Sequence, residues 1–327
     1  MSLQFGANTM NNKIIANKIN ILADEILAEV DYVYDPDHKN KPRDGGNWHK
    51  TERGWSKKER RTKESLTTEQ QKLIQDARSE KWYERRATAQ NINTPVEALI
   101  ALVDDEKSVV SEEALKNPNI PQSILRMKSK NEKCTDAISR NPNCPNDILD
   151  ELSKSKWPRT RSGVGGNSNA SKENLETLAN DDEREVREAV ASNKNISPEL
   201  LEKLSKDKEW PVRMEVAKNK NTSIQTLDDL SKENNYHVRE EAIKNPNTSG
   251  ETLKKLENSE DETRELIAKH PNTPPEVLKR FANDPRNGVL RGNVARNPNT
   301  PKDVLEDLAK DKDKYVSEGA KKTLSMI

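Results

Sequence analysis

The sequence predicts an all-α solenoid, and three observations predict it. A five-residue cassette of the form Asn-Pro-Asn-Thr-Pro recurs at 91, 117, 141, 167, 193, 219, 245, 270 and 297, at spacings of 24 to 27 residues. A period in that range marks stacked supersecondary units. Each interval also holds two short runs whose apolar residues fall at helical spacing. Finally, the chain is 31% hydrophobic, 34% charged and 4% aromatic, with formal net charge zero. That is too little apolar surface for one large core, but enough for thin units that each bury one stripe against a neighbour.

Residues 1–34 contain "NNKIIANKINILADEILAEVDYVY", with Ile15, Ile19, Leu22, Ile26, Val30 and Val33 recurring every three or four positions. This is the pattern of an amphipathic helix. Its stripe needs a cover: the first repeat, a partner, or a second copy of the chain, which would make it an oligomerisation element.

Residues 35–64 read as a basic tether. Between 38 and 63 stand ten Lys or Arg against three Asp or Glu, with Gly45-Gly46 among them. Proline, glycine and like charges oppose packing, so a flexible, solvated segment is expected. The same stretch carries Arg43, Trp48, His49, Lys50, Arg53, Trp55, Lys57, Lys58, Arg60 and Arg61. That mixture also suits a grip on nucleic acid, cations on phosphates and tryptophans on bases, or on an acidic protein surface.

The repeats fill 65–327. Counting back one period from Asn91 places "SLTTEQQKL" at 65–73 as a degenerate first unit, giving about ten units of ~26 residues with atypical outer copies. In "TPPEVLKRFAND", Thr273 stands as N-cap, Pro274 at the first helical position, and Glu276 to close a capping box. Val277, Leu278 and Phe281 then share one face. A second short helix follows in each unit: "EREVREAVA" at 183–191, "WPVRMEVA" at 210–217, "YHVREEAI" at 236–243.

"NPNTPPEVLKRFANDPRNGVLRGNVAR" and its siblings resemble leucine-rich repeat variant units, relatives of the HEAT-like solenoids. The resemblance covers about 65–327. It implies a right-handed superhelix of alternating short helices, one of them of 3₁₀ character. One member of that family carries an iron–sulphur cluster on N-terminal cysteines. This chain has no cysteine before Cys134, so no cofactor is carried over.

Three columns cut across the units. Asn stands at the third cassette position in all nine copies, and at the first in eight, His270 being the exception. Asn tolerates turn conformations and can satisfy loose backbone groups, so this column reads as scaffold. Six residues before a cassette stands Arg85, Arg161, Arg187, Arg213, Arg239, Arg264 or Arg291, with Ser111 and Ser317 in two units. These arginines make either an internal ladder, pairing with residues six earlier such as Asp181, Asp207, Glu233 and Asn258, or a concave row matched to a partner's carboxylates or phosphates. Three positions earlier come Trp82, Trp210 and Tyr236, with Trp157 one position out of register. Ring and guanidinium then share a helix face and can stack, forming either packing residues or a binding strip.

Catalytic signatures are not seen. No Gly-rich phosphate loop, nucleophile elbow or His-Glu-x-x-His occurs, and "GVGG" at 163–166 stands where other units end a helix. The two cysteines, Cys134 and Cys144, have no companions for a zinc site. With no apolar run long enough for a bilayer and no signal-peptide pattern, a cytoplasmic protein is expected. The expectation is a non-enzymatic, cofactor-free scaffold for a protein partner, with no membrane contact. The alternative is a nucleic-acid binder using 38–63 and the arginine column.

Overall fold

The computed structural model describes residues 66–327 and, before them, the backbone of three strands, β1 (Tyr32–Asp35), β2 (Trp48–Thr51) and β3 (Gly54–Lys58). These form an antiparallel sheet in the order β1-β3-β2, with Trp48 opposite Lys57 and Lys50 opposite Trp55. No sheet was expected here. Val33, the last member of the helical stripe, lies in β1, and the stretch read as a tether supplies β2 and β3. "YVYD" is aromatic and β-branched, and two residues join β2 to β3, the shortest common hairpin connection. The rest of the helical stripe, Ile15 to Val30, lies outside the described residues.

From residue 68 onward the chain is helical, in ten pairs among the described residues. The first four pairs are α1 (Thr68–Asp76) and α2 (Trp82–Gln90), α3 (Val96–Leu102) and α4 (Ser108–Lys116), α5 (Gln122–Lys128) and α6 (Thr135–Ser139), α7 (Asn146–Leu152) and α8 (Pro158–Gly166). Then come α9 (Lys172–Leu178) and α10 (Arg184–Ala191), α11 (Pro198–Leu204) and α12 (Trp210–Lys218), α13 (Ile224–Leu230) and α14 (Tyr236–Lys244). The last three pairs are α15 (Gly250–Lys255) and α16 (Asp261–Lys269), α17 (Pro275–Ala282) and α18 (Gly288–Arg296), α19 (Lys302–Leu308) and α20 (Lys314–Leu324). Both members of each pair are α-helices; the 3₁₀ character implied by the resemblance is not present in them. The chain divides into two compact units, Met1–Leu152 and Ser153–Ile327.

Each repeat buries the leucine of its first helix, from Leu99 through Leu201 and Leu227 to Leu305. Opposite it the second helix buries residues such as Val186, Val190, Val212 and Val216. In the unit that starts at His270, Val277, Leu278 and Phe281 are buried together with Leu290, Val294 and Leu305 from the following helices. Each core layer is thus shared between adjacent repeats. Of the glycines at 163–166, Gly165 serves packing: a Cβ on it would lie 3.0 Å from Val190 Cγ2, so its absence lets α8 and α10 approach.

The caps fall one residue later than the sequence suggested. Pro274, not Thr273, is the N-cap of α17, with extended backbone and no side-chain cap. Thr273 instead donates its hydroxyl to the Ile267 carbonyl at the end of the preceding helix, as Thr300 does to Val294 and Thr94 to Thr88. Glu276 closes no capping box at Thr273; it pairs with Lys254 at 3.2 Å. Where serine follows the threonine slot it caps: Ser197 accepts from Leu200 N–H and Ser223 from Thr226 N–H. The degenerate first unit does carry a capping box, between Thr67 and Gln70.

The cassette asparagines close the turns. Asn219 donates from Nδ2 to the Ala191 and Asn193 carbonyls (2.7 and 2.9 Å), while its Oδ1 accepts from Asn221 N–H. Asn221 then donates to Lys194 and Ile196 carbonyls of the preceding unit. The same arrangement recurs at Asn117, Asn193, Asn245 and Asn297. These amides satisfy carbonyls that helix ends leave open. His270 takes the same role with an imidazole: Nδ1 accepts from Asn272 N–H and Nε2 faces the Asn245 carbonyl, both at 3.0 Å.

Candidate functional site

The arginine column is a ladder, but with different partners from those expected. Arg187 meets the carboxylate twenty residues ahead: Nε and Nη2 donate to Asp207 at 2.6 and 3.1 Å. Its Nη1 donates to the backbone carbonyls of Asp181 and Asp182. The acid six residues earlier therefore contributes its backbone, and the side-chain pair reaches into the next unit. Arg85 with Asp105, Arg161 with Asp181, Arg213 with Glu233 and Arg291 with Asp311 repeat the two-pronged geometry. Arg239 reaches Glu260 and Arg264 reaches Asp284, not Asn258, through Nη2.

These pairs are built to hold loops. Asp207 Oδ1 also accepts from Glu209 N–H, and Asp105, Asp181, Asp284 and Asp311 accept likewise, so each aspartate orders its own turn while it receives the guanidinium. The side chains of Arg187 and Asp207 retain 7% and 9% exposure. The Arg291 hydrogen bond holds the Asp311 carboxyl below its ordinary range, and Arg264 does the same to Asp284. With both edges of the planar fork engaged, little donor capacity remains for a ligand phosphate.

The aromatic residues behave differently. Trp82, Trp157, Trp210 and Tyr236 sit at the starts of second helices and remain 39–50% exposed. Stacking on the arginine three residues later is seen at Tyr236, where the Arg239 guanidinium lies 5.9 Å from the ring centre. Trp210 instead stacks on His237 of the next repeat, centroids 5.3 Å apart and planes 29° from parallel, and His237 meets Tyr236 edge-on. His237 was not singled out in the sequence; its signal is its place one residue after an aromatic in a repeat one period on. Arg296 was missed too. Its guanidinium lies 3.7 Å from the Tyr315 ring, in space that Cβ atoms at Gly292 and Gly319 would fill.

Of the basic-segment residues, Trp48, His49 and Lys50 lie in β2, and Trp55, Lys57 and Lys58 in β3. Arg43, Arg53, Arg60 and Arg61 lie outside the described residues. Among the described residues, no helix is long and apolar enough to cross a membrane.

Paired short helices, a shared core and two hydrogen-bonded ladders define an α-helical repeat protein. The family model for leucine rich repeat variants matches residues 184–209, so the resemblance read from the cassettes holds for the unit beginning at α10. Among solved structures the chain is similar to "a leucine-rich repeat variant with a novel repetitive protein structural motif" (19% identity, 68% of this chain and 88% of that one, TM-score 0.49). It is also similar to a designed armadillo repeat protein (14% identity, 78% and 98% covered, TM-score 0.16). At these scores neither likeness adds to the fold seen directly in the helices. No curated protein matches the chain.

Proposed function

We propose that the protein is a non-catalytic interaction scaffold whose repeat surface receives a protein partner. One observation carries this reading: the aromatic column stays exposed while the asparagine and arginine columns are engaged within the array. Large rings left half in water are the side chains that dominate an interface once covered. The solenoid supplies the period and the rigidity. The nucleic-acid alternative loses the arginine column and retains only the basic segment 38–63.

The test compares the wild-type chain with Trp210→Ala/Tyr236→Ala in capture from its native host after nuclease treatment. Defined proteins held by the wild type and lost by the variant are the expected result. Equal capture by both, or capture that vanishes with nuclease, would overturn the reading.

A further inference from the structure

Resting on the scaffold reading, we propose that the second-helix face of residues 184–269 docks a cationic, extended segment of a protein partner. The face combines exposed rings with an excess of carboxylates over cations. Outside the ladder arginines, α10, α12, α14 and α16 carry eight Asp or Glu against four Lys or Arg. Each ladder arginine is matched by a carboxylate of the following unit, and Arg264 alone also takes one of the eight, Asp261, which leaves seven against four.

Within the face the carboxylates outnumber the cations that reach them. Glu240 and Glu241 share a single lysine, Lys244, at 2.8 and 3.2 Å. Glu185 and Glu188 likewise share Arg184, each at 2.9 Å. Trp210 opens α12, and Tyr236 and His237 open α14, where Tyr236 stands four residues before Glu240 and so on its side of the helix; such ring faces attract Lys and Arg. A phosphate backbone would meet the same carboxylates with like charge.

The repeat also sets a spacing. Packed helices lie about 8–10 Å apart, and a chain extended as polyproline II advances about 3.1 Å per residue with three residues per turn, so every third side chain faces the same way. A basic residue at every third position would therefore meet one carboxylate group per repeat. The partner's signature is this third-residue periodicity.

The test measures fluorescence anisotropy of the full chain with three probes: a nonapeptide with Arg at every third position in a polar background, the same peptide with Glu for Arg, and a single-stranded RNA of matched length. The cationic peptide is expected to bind at low salt and to weaken as salt rises. Both Trp210→Ala/Tyr236→Ala and Glu188→Gln/Glu240→Gln/Glu241→Gln should weaken it at least tenfold with unchanged circular dichroism, while Glu202→Gln on α11 leaves it unchanged. Absence of binding, binding indifferent to both variants, or preference for RNA overturns the proposal. Binding of the Glu peptide that the aromatic variant abolishes also overturns the cationic assignment, yet leaves the scaffold reading standing; that reading falls only with its own capture experiment.

Discussion

Residues 161–311 and residues 111–155 are built from the same cassette but held differently. In the first stretch, Arg161, Arg187, Arg213, Arg239, Arg264 and Arg291 each reach a carboxylate of the following unit. In the second, the arginine slots hold Ser111 and Thr135, and the positions twenty residues ahead hold Asn131 and Ser155. Arginine and acid are thus lost together. What remains there are ion pairs on and just after the first helices, Arg126 with Asp147, Lys128 with Asp104 and Lys130 with Glu151, a kind that the first stretch also has in Lys254 with Glu276 and Arg280 with Glu257. Arg126 and Asp147 are 51% and 63% exposed, against 7% and 9% for Arg187 and Asp207, so water screens the former pair and not the latter. The asparagine ladder runs through both stretches, at Asn117 and Asn141 as at Asn193 and Asn219. The amides are the common fabric, and the arginine rungs are reinforcement laid over part of it.

Truncating a core leucine should give the largest effect and ignore the difference. Leu201→Ala and Leu125→Ala, both fully buried, should each cost about 2–5 kcal/mol in denaturant unfolding. A cost confined to one stretch would show that core packing, not the rungs, distinguishes them. Next comes the rung itself. Arg187→Ala should cost about 3 kcal/mol by leaving the buried Asp207 side chain without its cation, whereas Ser111→Ala should stay within about 0.5 kcal/mol. Equal effects would remove the distinction.

A cap is smaller still: Ser197→Ala should cost about 1 kcal/mol, and Thr273→Val should weaken the helix before it, not the helix after. The subtlest effect belongs to His270. Burial lowers its affinity for protons, and protonation would put a donor where Nδ1 accepts from Asn272. The unfolded chain takes up its proton near pH 6.5, the folded chain only at lower pH, so stability falls as pH drops below about 6.5. His270→Asn should flatten that slope in thermal melts between pH 7 and 5; an unchanged slope would show that another group sets it.

Much of this was legible in the sequence. Period, helix pairs and buried leucines follow from spacing, because a unit of ~26 residues has one way to hide its stripe. The asparagine column reads as scaffold for the same reason. What spacing hid was contact across units. Asp181 stands six residues before Arg187 in the chain, yet offers it a carbonyl, and gives its carboxylate to Arg161. A regular array offers several equivalent partners at multiples of the period, and only geometry chooses between them. The cap moved by one residue because Thr273 has two open backbone groups within reach, and the sequence names no preference between the helix behind and the helix ahead. Strands β2 and β3 were missed because charge dominates their composition, while strand pairing depends on alternation and a short turn.

Native-state hydrogen exchange, followed helix by helix, tests most directly whether the arginine rungs set local stability. The account predicts that amides of α4, α5 and α6 exchange before those of α10, α12 and α14, and that Ser111→Arg with Asn131→Asp slows the former. Uniform exchange across the array, or earliest opening among the helices of 184–244, would contradict it.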